Sequence, residues 1–414
     1  MKWFWSILCG CGVVASFVIV CALDGPPEME IPGANGFYVW QRQWSDNVES
    51  CVLTELKDGT HDLYILGGEL EHEGGGLRWR GTEAPGSILR SDRVTAVFRL
   101  PVKALGDVGK AAAAVVERAD ALGVSRIQLD ADVPERMIGR YAELVEDIRS
   151  LWTNDCASLH VGATFLPCHL GLEGIRRVLA AIDEPVIQLH GINAPKDRSE
   201  SWGLMDRRTV FRALRQARVL DKRFKMALPS YAYVLAFNAD GTFRRLYAEG
   251  LPDDFEMPPG TTCDIAAPDM ELLRDVLASP LRLPAIWFRL PVRGEDRWCL
   301  DRETISLLES GRLPVAKVEF EVRGGGREGV FDLIARYRNQ IPMEGARVAL
   351  DWGGDDEGEF FALNRSVAED DAVHGRLPRT VRMAPFACGE AFMFGKVIMR
   401  NGECRVSMDE IIGE

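Results

Sequence analysis

The sequence lacks a basic excess: 49 Lys and Arg stand against 62 Asp and Glu in 414 residues, a formal net charge of −13. No concentrated basic stripe compensates for this. Affinity for a nucleic-acid backbone comes from displacing counterions with Lys and Arg, so no nucleic-acid partner is expected. The common short motifs are missing as well. Without H-E-x-x-H, G-x-x-x-x-G-K-[ST] or G-x-S-x-G, a zincin, a P-loop enzyme and an α/β-hydrolase are all disfavoured. The run Gly324 to Gly326 has no phosphate-binding Lys after it and reads as a turn. His61, His72, His160, His169 and His374 show no metal-ligand spacing, so neither a metal nor another cofactor is expected. There is no C-x-x-C. Three of the ten cysteines, Cys9, Cys11 and Cys21, fall in the first 23 residues. The other seven (Cys51, Cys156, Cys168, Cys263, Cys299, Cys388 and Cys404) are an odd, scattered set, unlike a disulfide framework or a zinc site. Cys156 with Cys168 and Cys388 with Cys404 are the sequence-near pairs; buried free thiols are the simpler reading.

Apolar material is plentiful, with 47% hydrophobic and 27% charged residues, which sets the chain apart from disordered proteins. The length suits two or three domains, or one large barrel with an appendage. Residues 3 to 23, WFWSILCGCGVVASFVIVCAL, carry no charge and follow Lys2. At about 1.5 Å per helical residue they reach across a hydrocarbon layer of roughly 30 Å. Residues 1–23 therefore read as a signal peptide cut after Ala22 or as an N-terminal membrane anchor. Val20 is bulky for the position before a lipidated Cys21. Export to the periplasm, cell envelope or exterior is the expectation, with contact to a membrane only through this segment. Residues 24–36, rich in Pro and Gly, form a tether.

Eight short apolar runs follow: FYVWQRQW (37–44), LYILGGEL (63–70), TAVFRLP (95–101), RIQLDAD (126–132), LHVGATF (159–165), VIQLH (186–190), FKMALPSYAY (224–233) and PAIWFRLPV (284–292). Helical patterns separate most of them. The clearest recurs at spacings of three and four through Met137, Ile138, Tyr141, Leu144, Val145, Ile148 and Leu151. Others span 110–122, 172–182, 206–220 and 269–279. Strands alternating with amphipathic helices imply parallel pairing, and eight units favour closure into an irregular (β/α)8 barrel over residues 37–312. A doubly wound open sheet is the alternative. Residues 71–94 break the pattern with Gly and charge in place of a helix. The segment VLAFNADGTFRRLYAEG reads as a hairpin turning at Asn238 to Gly241. From about 313 to 414, short strands at 317–322, 329–337, 346–352, 358–363, 391–400 and 404–408 point to a small β-sandwich.

The fourth run carries the strongest chemical signal. Strand alternation puts Gln128, Asp130 and Asp132 on one face and Ile127, Leu129 and Ala131 on the other. If the apolar face meets the helices, the acids stand at the C-terminal mouth, where barrel active sites are built. Glu135 lies just beyond Pro134. Neighbouring carboxylates raise one another's pKa, so one can stay protonated while another stays ionised, the division that glycosidic cleavage needs. The plainer reading makes Asp132 a helix cap and pairs Asp130 with Arg99 or Arg289 in a structural network. Gln188 and His190 share a face of the sixth run, Tyr231 follows the seventh, Arg289 ends the eighth, and Trp40 and Gln41 lie on the first. Aromatic faces beside amides, Arg and carboxylates suit sugar rings and their hydroxyls.

FYVWQRQW, IQLDADVPERMIGRYAELVEDIR, VIQLHG, ALPSYAY and IWFRLP, in this order, resemble a bacterial family of exported proteins known as domain of unknown function 3142, grouped with glycoside-hydrolase-like TIM barrels. The resemblance spans roughly 37 to 292 and implies a barrel and an envelope protein acting on carbohydrate; it supplies no catalytic residue. Asp130 and Asp132 are also similar to the D-x-D-x-E strand of chitinase-like barrels, except that Glu135 comes three residues after the second aspartate rather than two. The expectation is a glycoside hydrolase in which Asp132 or Glu135 protonates the leaving oxygen and Asp130 orients or stabilises charge. Trp40, Gln41, Arg99, Gln128, Gln188, His190, Tyr231 and Arg289 would hold the glycan. The rival expectation is a non-catalytic glycan-binding or envelope scaffold protein.

Overall fold

The structure is a computed structural model describing residues 34–73, 76–152, 158–191, 194–200, 202–221, 223–248, 262–292, 299–313, 318–337, 346–352, 358–363, 366–368, 377–383, 391–399, 404 and 406–411. The leader at 1–23 and most of the tether lie outside them, as do Cys156 and Cys388. Cys51, Cys168, Cys299 and Cys404 carry free thiols, of which Cys299 is buried and Cys168 exposed. Among the described residues no helix is long and apolar enough to cross a membrane.

The strands begin with β1 (Gly36–Val39), β2 (Asp62–Glu73), β3 (Gly76–Arg80), β4 (Val94–Arg99), β5 (Arg126–Asp130), β6 (His160–Phe165), β7 (Glu184–Gln188) and β8 (Lys225–Pro229). They continue with β9 (Tyr233–Phe237), β10 (Phe243–Ala248), β11 (Thr262–Ala266) and β12 (Ala285–Phe288). Without β3 and the β9–β11 sheet, eight remain, one in each of the eight apolar runs. All pair in parallel in sequence order, and β1 pairs with both β2 and β12. That double pairing closes the ring and decides for the barrel over the open sheet.

The helices are α1 (Asp46–Asp58), the single turn α2 (Gly86–Leu89), α3 (Val108–Leu122), α4 (Ile138–Leu151), α5 (Ile175–Ala181), α6 (Arg207–Leu220), α7 (Met270–Ala278) and α8 (Arg302–Glu309). Asp107, Asp206, Asp269 and Asp301 start α3, α6, α7 and α8 by accepting a hydrogen bond from a first-turn backbone N–H. Gly123 ends α3 at φ 66°, a left-handed conformation that a side chain would strain.

Alternation along each strand builds two cores. Outward-facing Phe37, Leu63, Phe98, Ile127, Leu129, Val161, Phe165, Ile187, Met226 and Trp287 pack with Leu144, Val145, Leu214 and Leu273 of the helices. Inward-facing Tyr38, Trp40, Tyr64, Leu66, Val97, Val186, Ala227 and Ile286 fill the barrel. Gly162 leaves room for this filling, since a Cβ there would come 3.4 Å from the Gln128 side chain and 3.2 Å from the Glu184 carbonyl.

The region 71–94 is not a plain loop. β3 folds back antiparallel on the far half of β2, and the Trp79 ring lies 5.2 Å from that of Phe98. The hairpin expected at Asn238 to Gly241 is β9 and β10, joined by β11 into a three-stranded sheet.

Beyond α8 come β13 (Val318–Gly324), β14 (Val330–Tyr337), β15 (Ala346–Asp351), β16 (Gly358–Ala362), β17 (Ser366–Ala368), β18 (Thr380–Met383), β19 (Ala391–Met399) and β20 (Ser407–Ile411). They form two four-stranded antiparallel sheets, β13-β14-β19-β16 and β17-β18-β15-β20. Leu333, Phe394 and Val397 of the first share one apolar core with Val348, Leu350 and Val381 of the second, which makes the pair a sandwich.

Candidate active site

Three strands set up a row of charge at the C-terminal end of the barrel. The parallel register places Glu69 of β2 beside Arg99 of β4, and Arg99 beside Asp130 of β5. Glu69 receives two hydrogen bonds from Arg42, at 2.6 and 2.9 Å, and these hold its carboxyl below the usual range. Arg99 adds its charge to this from the next strand and also faces the two aspartates. Its guanidinium stands 3.6 Å from an Asp130 oxygen and 3.6 Å from an Asp132 oxygen, and 5.8 Å from the Trp40 ring centroid. Both ion-pair distances exceed hydrogen-bonding length, so one cation is shared loosely between two anions.

The two acids differ in exposure. Asp130 is 16% exposed and accepts a hydrogen bond from Thr164 Oγ1 at 3.1 Å, while Asp132 is 60% exposed at the rim. Burial pushes the Asp130 pKa up to about 6. Arg99 and Thr164 pull it down, and Asp132 and Glu69 push it further up. Up to about pH 6 the mouth therefore holds a protonated carboxyl beside a second at the rim.

Aromatic rings wall the cleft over these acids, around a cavity of about 220 Å³. Phe288 ends β12 and is the hub, with ring centroids 5.3 Å from Trp40, 5.6 Å from Tyr38 and 5.5 Å from Tyr231. Tyr233, the first residue of β9, adds a ring 4.9 Å from Tyr231. His190 Nδ1 lies 3.1 Å from the Tyr231 hydroxyl, and burial pushes the imidazole down to about 3. His190 is consequently neutral across the physiological range and acts as a polar wall, not a charge. Gln188 Nε2 donates to the His190 carbonyl at 3.2 Å, fixing the turn that carries the ring.

Of the residues singled out in the sequence, Trp40, Arg99, Asp130, Asp132, Gln188, His190 and Tyr231 line one cleft. Four do not. Gln128 faces the same way as Asp130 but lies two residues deeper in the strand; it is fully buried and accepts the Tyr38 hydroxyl proton at 2.7 Å, so it supports the floor. Gln41 and Arg289 lie just past the ends of β1 and β12 and are not among the described residues that line the cleft. Arg289 is 9% exposed, and its backbone carbonyl accepts from Ser230 Oγ at 2.6 Å. Glu135 opens the 3-10 turn Glu135–Met137, where its carboxylate bonds to the Cys168 thiol instead of facing the cleft. The extra residue and Pro134 between it and Asp132 turn the chain away from the strand axis. Sequence reading missed Tyr38, Thr164, Tyr233 and Phe288. The first and last could have been found by parity, because Tyr38 alternates with Trp40 and Phe288 with Ile286. Among the described residues no group of three His, Cys, Asp or Glu is arranged to hold a metal ion.

Residues 108–293 match the family model described as domain of unknown function, DUF3142, which bears out the family resemblance over the stretch from α3 to just past β12. No curated protein matches the sequence. Among solved structures, the chain is similar to the spore cortex-lytic enzyme SleL of Bacillus megaterium QM B1551, at 11% identity and a TM-score of 0.49 over 70% of this chain and 76% of that one. A chitinase from Chromobacterium violaceum ATCC 12472 gives 11% identity and a TM-score of 0.46 over 67% and 99%. SleL of Bacillus cereus gives 11% identity and 0.45 over 68% and 75%.

Proposed function

We propose that the protein is an exported glycoside hydrolase working at the mouth of its barrel. One observation carries this reading: Asp130, a carboxyl that burial keeps protonated up to about pH 6, shares Arg99 with the exposed Asp132 inside an aromatic-walled cleft. Glycosidic cleavage needs one acid and one charged carboxylate close together. Asp130 gives its proton to the leaving oxygen as the bond to the anomeric carbon breaks, and Asp132 stabilises the positive charge that develops there. Water supplies the hydroxyl that ends on that carbon and the proton that returns to Asp130. Arg99 stands 3.6 Å from an Asp132 oxygen. The acid role thus passes from Asp132 or Glu135, the sequence candidates, to Asp130, since Glu135 is exposed and is not among the described residues that line the cleft. Trp40 and Phe288 stack on the ring, and Gln188, His190 and Tyr231 meet its hydroxyls. Export rests on the uncharged stretch 3–23 behind Lys2.

The test is product release by the full chain across a panel of polysaccharides, run beside Asp130→Asn and Asp132→Asn. Both variants are expected to lose about 10³-fold in turnover. Unchanged turnover in both would remove the assignment. A glycan with an activated aryl leaving group separates the roles, because it needs no acid: Asp130→Asn should recover much of its activity there and Asp132→Asn should not. A second reading is a non-catalytic glycan-binding protein, favoured by Arg99 touching both acids. In that case glycan binds without product release, and binding survives loss of the acids but not of Trp40 or Tyr231.

A further inference from the structure

We propose that the cleft selects a glycan residue bearing a free, protonated amino group, so that the substrate is a de-N-acetylated amino-sugar polymer. This rests on the glycan reading of the site and adds the substrate class. Among the described residues that line the cleft, the carboxyls of Asp130 and Asp132 outnumber the single guanidinium of Arg99, and above about pH 6, where Asp130 gives up its proton, this leaves an excess of negative charge. The next pair outward, Glu69 with Arg42, is already balanced and adds no cation. His190 is neutral because burial disfavours its charged form, so it supplies none either.

Arg99 already lies over Trp40, and Tyr231, Tyr233 and Phe288 line the same cavity. An aromatic ring attracts a cation within about 6 Å of its face, more strongly where water is excluded. An ammonium group therefore meets an aromatic-lined cleft as well as the excess carboxylate. A uronate would add a third carboxylate to two that already share one Arg. An acetamide would lose the charge that the carboxylates attract.

The experiment compares a glucosamine hexamer, its N-acetylated counterpart and a uronic-acid hexamer. Binding to the full chain is measured by calorimetry at pH 7 and low salt, with product release followed in parallel. The glucosamine hexamer is expected to bind about tenfold more tightly than the acetylated one, and the uronate to bind least. The double variant Asp130→Asn with Asp132→Asn should abolish most of that preference. Preferential binding of the amine without product release would defeat hydrolysis but keep this inference. Product release from the acetylated or uronate hexamer and not from the amine would keep hydrolysis and overturn it. Equal affinities, no binding of the amine, or a preference unchanged in the double variant also overturn it.

Discussion

The barrel holds two clusters of carboxylates and cations, one deep in its interior and one at its C-terminal mouth. In the deep cluster Lys225 Nζ lies 2.8 Å from Glu184 and 2.8 Å from the Tyr64 hydroxyl, which itself donates to Glu184 at 2.7 Å. All three are nearly or fully buried, and a second carboxylate, Asp62, stands 3.6 Å from Lys225 Nζ. Burial pushes Glu184 up, but the charge and hydrogen bond of Lys225 and the hydrogen bond of Tyr64 win, and the carboxyl sits below the usual range. At the mouth the same ingredients give the opposite sign. Arg99 is spread over two acids at 3.6 Å each, and Asp130 rises to about 6. A cation at 2.8 Å with a second hydrogen-bond donor stabilises the carboxylate it faces; a cation no nearer than 3.6 Å leaves a buried carboxyl that prefers its proton. The first arrangement builds a barrel, and the second can do acid chemistry.

Substitutions should separate the two clusters. The largest effect on stability is expected from Lys225→Met, which strands Glu184 as an uncompensated buried charge and should cost about 3–5 kcal/mol in denaturant unfolding. Asp130→Asn should instead stabilise the fold at pH 7, by about 1–3 kcal/mol, because it removes a carboxylate whose ionisation burial penalises. The pH dependence sharpens the contrast. The folded pKa of Asp130 lies above its ordinary value of 3.8, so its favourable contribution is complete below about pH 4 and is lost as pH rises through about 6. Glu184 is depressed from 4.5, so its contribution is present above that value and fades as pH falls through the lowered one. Unfolding of wild type and Asp130→Asn between pH 4 and 7 should therefore show a gap that widens in the variant's favour as pH rises. The smallest effect is expected from Tyr231→Phe, which deletes the hydroxyl beside His190. It should weaken glycan binding by about 1 kcal/mol in calorimetry and, by unpairing His190 Nδ1, cost about 1 kcal/mol in denaturant unfolding.

The barrel was readable because its strands obey parity. Ile127 and Leu129 face the helices, Gln128 and Asp130 face inward, and the alternation is visible in RIQLD itself. Helix α1 escaped because its stripe is thin: Val48 and Val52 are buried, but the next buried position is Glu55, an acid made tolerable by Arg302 of α8 at 2.7 Å. That partner is 247 residues away, and no local pattern announces it. β3 escaped for a related reason, since its Gly-rich, charged sequence has a single anchoring ring, Trp79. At the mouth, residue type and strand position found the acids, Arg99 and His190. Parity along β1 and β12 admits Tyr38 and Phe288, whereas Gln41 and Arg289 lie past the strand ends, where parity no longer holds. Tyr233 belongs to the three-stranded sheet, and its place in the wall depends on how that sheet meets the barrel. Glu135 shows the limit of proximity along the chain, because the turn after Pro134 carries it to Cys168.

The central claim is that the mouth of the barrel keeps a proton on Asp130. Difference infrared titration of wild type against Asp130→Asn, following the carbonyl band of a protonated carboxyl, tests this without any substrate. A band present in wild type, absent in the variant, and disappearing with a midpoint near pH 6 is the predicted result. Loss of that band below pH 4.5 would place Asp130 among the ordinary ionised carboxylates and contradict the claim.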